Sequence, residues 1–533
     1  MRAFLTLYGS LDSTTSTNEK VEAMQSYFSN VPPEDAAWAL YFLSGKRIKR
    51  LAKRSDLKHW LVEASGYSQW MIDECYESVG DFAETAVLLT SHCTVPDPKA
   101  VEIKLSNWVE QKLLPLNDLA PDQKSETIKG WWNGLPLNMS FIATKLLTGG
   151  LRVGVSRLLL ARALSNSTGL SKSIILHRMM GHVSPSKDMF TALVDPDTSF
   201  SQVSQPYPFF LASPIEKNVG DLGLRNKWIA EWKWDGIRAQ AIRRKGKTFI
   251  WSRGEELVTE RFPEVDRACS HLPDGTVLDG ELIGWKKNVL SFSSLQRRLN
   301  RKNVSKKLLE EVPVRLVCYD CIEYNSHDIR NRPLSERKQI LSRIIQRANQ
   351  TNLTASPIIE ATSWEELKLR RTESRARRVE GLMLKEINSV YETGRKRGHW
   401  WKWKVDPYTI DAVIVYAKAG SGRRANLFTD YTFAVWSDDN LVPIAKAYTG
   451  LNAKEIHNLD RWIRENTIER FGPVRSVPPK HVFEIGFEGI TESKRHKSGF
   501  ALRFPRILRW RKDKGPIEAD RLEELRRLFF PIS

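Results

Sequence analysis

The hydrophobic period of the chain changes near residue 200, and that break decides what it can fold into. Before it, apolar residues recur three and four apart. Phe4, Leu7, Tyr8 and Leu11 fall on one helical face. Ser16-Thr17-Asn18-Glu19 has capping-box spacing and precedes Val21, Met24 and Phe28 on one face. Pro32-Pro33-Glu34-Asp35 opens a further helix, which Gly45 ends with Lys46 and Arg47 behind it. Residues 151–164, opened by Gly149-Gly150, predict another. Residues 199–208 are polar and proline-bearing and read as a linker. Beyond them come short β-rich runs: Thr248-Phe249-Ile250-Trp251, Val277-Leu278 with Leu282-Ile283, and residues 314–319. A second shift falls at Asp406-Pro407. After it, residues 411–416, 432–436 and 482–487 predict strands and residues 453–465 a helix, a block of the size of a small barrel. Residues 517–530 predict an amphipathic helix, and no internal repeat is evident. The expected division is a helical part over 1–205, an α+β part over 206–405 and a barrel with a C-terminal helix over 406–533.

Composition narrows the classes. Hydrophobic residues are 41% and charged residues 27% of the 533, which describes a folded chain. No run of 18 apolar residues exists, so a transmembrane helix is excluded. Met1-Arg2-Ala3-Phe4 lacks an apolar signal core, and Asp12 and Glu19 follow. Five cysteines, an odd number, do not make a disulfide framework, so a reducing, cytoplasmic setting is expected. The net charge is +19. Residues 1–205 carry 21 side chains of each sign, so the remaining 61 basic and 42 acidic ones, and with them the whole excess, lie beyond. A basic folded region meets a polyanion, most commonly nucleic acid, or serves solubility alone.

The sharpest local signal is Glu231-Trp232-Lys233-Trp234-Asp235-Gly236. Strand alternation sends Trp232 and Trp234 to one face and Lys233 to the other. A lysine partly desolvated beside other cations loses its proton more easily and can act as a nucleophile; the same spacing also suits a solvated hairpin lysine. The segment resembles motif I of the covalent nucleotidyltransferases, which comprise ATP-dependent DNA ligases, RNA ligases and mRNA capping enzymes. Further segments resemble that family's motifs in its order. Ser252-Arg253-Gly254 is similar to motif Ia and Leu278-Asp279-Gly280-Glu281 to motif III. Val317-Cys318-Tyr319-Asp320 is similar to motif IIIa and Glu380-Gly381-Leu382-Met383-Leu384-Lys385 to motif IV. Trp401-Lys402-Trp403-Lys404 is similar to motif V. Arg503-Phe504-Pro505-Arg506 and Arg511-Lys512-Asp513-Lys514 are similar to motif VI. Gly150-Leu151-Arg152-Val153-Gly154-Val155 is similar to the ligase DNA-binding domain. Length and order resemble the bacterial ATP-dependent DNA ligases with a helical N-terminal domain.

The resemblance implies a fold and a chemistry. The fold is multidomain: an all-α DNA-binding domain (1–205), an α+β adenylyltransferase domain with antiparallel sheets (206–405) and an OB-fold β-barrel (406–533). Lys233 is the implied nucleophile, forming lysyl-AMP from ATP before AMP passes to the 5′-phosphate of nicked duplex DNA. Glu231 would accept from the adenine amino group, and Arg238 and Arg253 would meet ribose and phosphate. Tyr319 would stack on adenine. Glu281, also beside the nucleotide, and Glu380 would hold Mg²⁺. Lys385, Lys402 and Lys404 would hold the α-phosphate, Lys402 and Lys404 from one strand face. Arg511 and Lys514 would orient the β- and γ-phosphates as the barrel closes over ATP. Singly, the two glutamates also read as surface carboxylates, Lys402 and Lys404 as an edge-strand charge pair, and Arg511 and Lys514 as a solvated basic face.

For DNA, Arg152 and the cluster Lys46, Arg47, Lys49, Arg50, Lys53, Arg54 and Lys58 suit phosphates; the cluster equally suits a solvated helix end. Arg297, Arg298, Arg301 and Lys302 form a second, equally ambiguous run. Cys318 and Cys321, three apart in a strand, should face opposite ways and be structural, and no four-cysteine cluster of the NAD-dependent ligases is present. The expected partner is nicked double-stranded DNA, with no membrane, and the expected state is a monomer. The competing expectations are an RNA ligase or capping-type enzyme and a non-catalytic nucleic-acid clamp.

Overall fold

The computed structural model describes residues 1–48, 51–180, 184–196, 203–216, 218–301, 303–420 and 426–529. They fall into two compact units. One comprises Ser10–Ser44 and Gly154–Val405, the other Met1–Gly9, Gly45–Val153 and Asp406–Ser533.

In the first unit the helix Thr17–Asn30 starts where the capping spacing puts it, with the Ser16 hydroxyl accepting from the Glu19 amide. It buries Val21, Met24 and Phe28. The helix Pro33–Leu43 has proline at its start and Glu34 and Asp35 in its first turn. The expected helix over 151–164 is displaced: residues 151–156 are irregular and the helix is Arg157–Thr168, which runs four residues past the expected end. Gly149 is the left-handed cap of the preceding helix, Gly154 has φ 63°, and the first side chain able to cap is Ser156, which accepts from Leu159. The expected linker lies partly outside the described residues. Its remainder is built in: Gln205 is buried and the Tyr207 amide donates to Gln240 at 2.7 Å.

Two sheets form the body of this unit. The larger has the strand order Lys247–Ser252, Ile237–Arg244, Thr276–Gly284, Val314–Tyr324, His327–Asp328, with Leu353–Ala355 parallel to the fourth. The smaller has the order Ser213–Pro214, Trp400–Lys404, Val379–Glu386, Trp228–Trp234. Each strand alternates. Ala239, Ala241, Leu278, Leu282, Leu316 and Cys318 join one apolar core with the helix Leu334–Ala348. Trp228, Ala230, Trp232, Leu382, Leu384 and Trp401 join another. The intervening residues of both sheets include Arg238, Glu281, Glu231, Lys233, Lys385 and Lys402. A register shift opposite Asp279–Gly280 inserts an extra residue at Tyr319–Asp320. That bulge turns Cys318 and Cys321 into the same core, contrary to the expected opposite faces.

In the second unit, Phe4, Leu7 and Tyr8 are buried, as the period requires. Its helices Arg54–Ser65, Gln69–Val79, Phe82–Thr90, Pro121–Gly134 and Leu137–Thr148 precede a seven-stranded half-barrel sheet consistent with an OB-fold. The helix Ala453–Glu465 matches its expected span, with Asn452 and Glu455 forming a capping box. The tail helix is shorter than expected, Leu522–Phe529, and residue 530 lies outside the described residues. The preceding backbone is taken by the sheet: the Trp436 amide donates to the Asp520 carbonyl, and the Asp411 amide to the Asp520 carboxylate. Among the described residues no helix is long and apolar enough to cross a membrane.

The His177 ring stacks on Tyr207, with centroids 4.7 Å apart and planes 7° from parallel. Burial first, then Arg330 and Arg244, push its pKa down to about 4. Below an ordinary value near 6.5 the unfolded chain takes up a proton that the folded chain refuses until about pH 4. Stability is therefore full above that window and falls within it, by roughly 2 kcal/mol after allowing for partial exposure. Urea unfolding at pH 7 and pH 4.5 checks this: His177→Gln should lose less between the two than the unaltered protein.

Candidate active site

The strand Trp228–Trp234 carries Glu231 and Lys233 on the face away from its tryptophan-rich core. The chain then crosses to the larger sheet through Asp235-Gly236. A Cβ on Gly236 would collide with the Leu282 carbonyl oxygen, so only glycine permits the crossing. Gly381, at φ 134°, plays the same part beside the Trp403 carbonyl and accompanies a register shift that follows Glu380.

One cleft, with about 780 Å³ of empty volume including its solvent mouth, is lined by Glu231, Lys233, Arg238, Arg253, Glu281, Tyr319, Lys385 and Lys402. Eight of the residues singled out in the sequence thus converge from two sheets. Glu380 pairs with Lys233, and with Lys404 at 3.3 Å. Burial alone would raise the Glu380 carboxyl; Lys233 and Lys404 overcome it and hold it below the usual range. The Glu281 carboxyl has no hydrogen bond or ion pair among the described residues. Burial lifts it to about 8, with Lys233 and Arg238 pulling down and Glu380 pushing up. Lys402 is lowered by burial and by Arg395, Lys233 and Lys404.

Other expected ligand groups are already engaged by protein. Glu231 is 1% exposed and bonds Lys338 through one oxygen and Lys385 through the other, the latter at 2.7 Å. Burial disfavours its charge, and the two lysines reverse that and keep it ionised. It is therefore an acceptor only. The Lys385 ammonium lies 4.2 Å from the Tyr319 ring centroid and 4.5 Å from that of Trp400. Arg238 grips the buried Asp279 with two bonds, of 3.2 and 2.7 Å, and donates to the Phe210 carbonyl at 2.6 Å. Tyr391 adds a 2.7 Å bond to Asp279. Lys338, Tyr391, Trp400 and Arg395 went unnoticed in the sequence. Lys338 sits in an ordinary amphipathic helix and Tyr391 in a loop, so nothing local marks them.

Arg511 and Lys514 belong to the other unit. Both meet one oxygen of Asp411, each at 2.7 Å, and Arg511 also holds Asp513. Of the basic candidates for DNA, Arg152 is exposed in the loop after Gly149-Gly150. The Arg47 side chain lies against Gly149, 3.2 Å from where a Cβ would stand, and lines a second cavity with Arg54. Lys46 lies in the same irregular segment, while Lys49, Arg50 and Lys302 lie outside the described residues. Arg298 is fully buried on Glu264, so the run at 297–302 is in part structural.

A cleft with an amine in contact with an ionised carboxylate, several further cations and two aromatic rings suits an anionic, ring-bearing ligand. This is the class of covalent nucleotidyltransferases. Three family models match the chain in order: DNA ligase N terminus over residues 1–165, ATP dependent DNA ligase domain over 210–404, and ATP dependent DNA ligase C terminal region over 424–514. The chain is 32% identical to a probable DNA ligase of Koribacter versatilis, over 97% of this chain and 94% of that one. It is 28% identical to a DNA ligase of Methanothrix thermoacetophila, over 99% and 97%. A solved structure described as Pmar-Lig_Pre shares the fold with TM-score 0.59 at 14% identity, over 95% of this chain and 99% of that one. The chain belongs to the ATP-dependent DNA ligase family. That family seals nicks in DNA through an adenylate intermediate.

Asp279→Ala should destabilise the unit by about 3–5 kcal/mol, because it strands the Arg238 cation in a buried site. Urea denaturation of the variant measures it.

Proposed function

We propose that Lys233 is the nucleophile of an AMP-forming DNA ligase acting on nicked duplex. The observation that carries the proposal is the contact of Lys233 with the ionised Glu380 at the cleft that also holds Arg253, Glu281, Tyr319, Lys385 and Lys402. Attack requires a neutral amine, so the Lys233 proton leaves to solvent before the new bond forms, while the contact with Glu380 holds the amine in place. The new bond joins the lysine nitrogen to the α-phosphorus of ATP, and the bond to pyrophosphate breaks. AMP next passes to the 5′-phosphate of the nick, and attack by the 3′-hydroxyl then releases it. Tyr319 offers a ring face to adenine and Glu231 an acceptor to its amino group. Arg238 keeps the cleft wall in place through Asp279 while Arg253 faces ribose and phosphate. Lys385, Lys402 and Lys404 neutralise phosphate charge.

Mg²⁺ fits the acidic pair. Glu281 is a partnerless carboxyl made hard to ionise, the condition a divalent cation relieves, and Glu281 with Glu380 would hold it. Such an ion supplies charge neutralisation at the phosphates. Arg152, Lys46, Arg47 and Arg50 are proposed to bind DNA phosphates, which suits a partner recognised without regard to sequence. We assign a DNA-binding domain to 1–205, an adenylation domain to 206–405 and a barrel domain to 406–533; the matched ranges of the family models support this. The proposed setting is a cytoplasmic monomer acting on chromosomal nicks.

Labelling with α-labelled ATP or GTP, followed by peptide mass spectrometry, tests the assignment. Label should come from ATP alone and map to Lys233. Lys233→Ala should retain less than about one part in 10⁴ of the sealing rate. Label on another residue would remove Lys233 from the role. Lys514→Ala should lose about 10²-fold or more in self-adenylation while sealing pre-adenylated nicks within about 3-fold of the unaltered rate. Equal losses in both steps would contradict its assignment to the leaving group.

A further inference from the structure

The helix Arg157–Thr168 begins with a cation. A basic residue in a first turn opposes the helix dipole. Its location therefore points to a specific partner, which is Glu255: the two side chains form an ion pair, with side-chain exposures of 26% and 16%. Glu255 stands in the turn that follows the strand Lys247–Ser252, at φ 61°, a conformation that a residue with a Cβ adopts at a cost. The turn is tight. The Glu255 amide donates to the Ser252 carbonyl at 2.9 Å, the Ser252 amide to the Glu256 carbonyl at 2.9 Å, and the Arg253 amide to the Arg238 carbonyl at 2.8 Å. At its tip is Arg253, whose side chain lines the cleft and makes no hydrogen bond or ion pair among the described residues. Its backbone is held on the Arg238 strand and its turn on Arg157, which leaves the guanidinium for a ligand.

The same helix start also lies near the other rim of the cleft. A Cβ on Gly394, at φ 72°, would lie 3.7 Å from Leu158. The next residue, Arg395, lines the cleft and contributes to the depression of Lys402. Consecutive residues of one helical turn thus stand beside the backbone that carries two cleft arginines, Arg157 by its ion pair and Leu158 by proximity.

We infer that Arg157 is a positioning residue for nucleotide binding: through Glu255 it sets the turn that presents Arg253, so that a helix outside the nucleotide-binding sheets tunes ATP affinity. This rests on the reading of the cleft as the ATP site. Arg157 has a second effect in the same direction. It neutralises Glu255, which would otherwise be a free carboxylate two residues from Arg253 and a competitor for its guanidinium.

The experiment measures the ATP dependence of self-adenylation in the full-length protein for Arg157→Ala, Glu255→Ala, Arg253→Ala and the double variant Arg157→Ala/Arg253→Ala. Arg157→Ala should raise KM for ATP about 10-fold with kcat within about 3-fold, the signature of lost ground-state binding. Arg253→Ala should raise it at least as much. The double variant should be no worse than Arg253→Ala alone, because Arg157 acts through Arg253. Glu255→Ala should raise KM in the same direction, and it keeps the test alive if thermal melting shows that Arg157→Ala fails to fold. An unchanged KM in both Arg157→Ala and Glu255→Ala, or losses that multiply in the double variant, overturns the inference. If the unaltered protein takes no label from ATP, or Lys233→Ala keeps it, the reading of the cleft fails instead; a labelled protein with a flat KM series sinks the role of Arg157 alone.

Discussion

The most deeply buried carboxylates of the catalytic unit hold it together, and each must be paired for the fold to exist. Glu231, Asp279 and Asp320 are exposed by 1%, 0% and 0%. Glu231 has Lys338 and Lys385; Asp279 has Arg238 and Tyr391; Asp320 has both arms of Arg337, at 2.9 Å each. An unpaired charge at such depth costs several kcal/mol, so the pairs are a condition of burial rather than a gain in stability. The same economy explains the cleft. Where the pairing runs out, at Glu281, Arg253 and Lys402, ligand groups can supply the missing partners. The unit is thus a charged interior that is closed in most places and open in one.

That distinction reassigns several side chains that look alike in sequence. Arg238 and Arg253 are both arginines that line the cleft with Lys233, yet one is spent on Asp279 and the other faces the cleft unbound. A cation whose donors are saturated shapes a site, and a cation whose donors are free reads a ligand. Glu231 and Glu281 divide in the same way. Two lysines hold the first ionised, while burial pushes the second towards its neutral form.

Much of this was legible because the strands alternate and the glycines punctuate. Lys233 and Lys402 stand within Trp-Lys alternations, so the sequence puts each on the face opposite its tryptophans, whereas Glu281 and Glu380 were singled out only through the resemblance. The helix Ala453–Glu465 was legible over its whole span. What was hidden is long-range. Lys338 meets Glu231 across 107 residues and Tyr391 meets Asp279 across 112, and no local pattern encodes either partner. The bulge at Tyr319–Asp320 was hidden for another reason: one extra residue flips a strand's facing without altering its composition, so Cys318 and Cys321 come to share a core. The tail was misjudged because residues 519–521 obey the sheet edge at Trp436 rather than their own amphipathic period.

Asp411 raises the same question of occupancy for Arg511 and Lys514. A single carboxylate oxygen, on a residue 6% exposed, accepts from both cations at 2.7 Å, while its other oxygen is buried without a hydrogen-bond partner. On the proposed reading these cations serve a polyphosphate, and they must then either leave Asp411 or share it. Leaving strands a buried carboxylate and is costly. Sharing is cheaper, because Asp411 takes one of the five Arg511 donors and one of the three on Lys514, and Asp513 takes two more of Arg511, which leaves two donors on each cation. Asp411 then acts as the anchor that aims two cations, and the phosphate takes the donors left over. The arrangement repeats, in the second unit, what Asp279 does for Arg238 in the first: a buried acid fixes the direction of a cation.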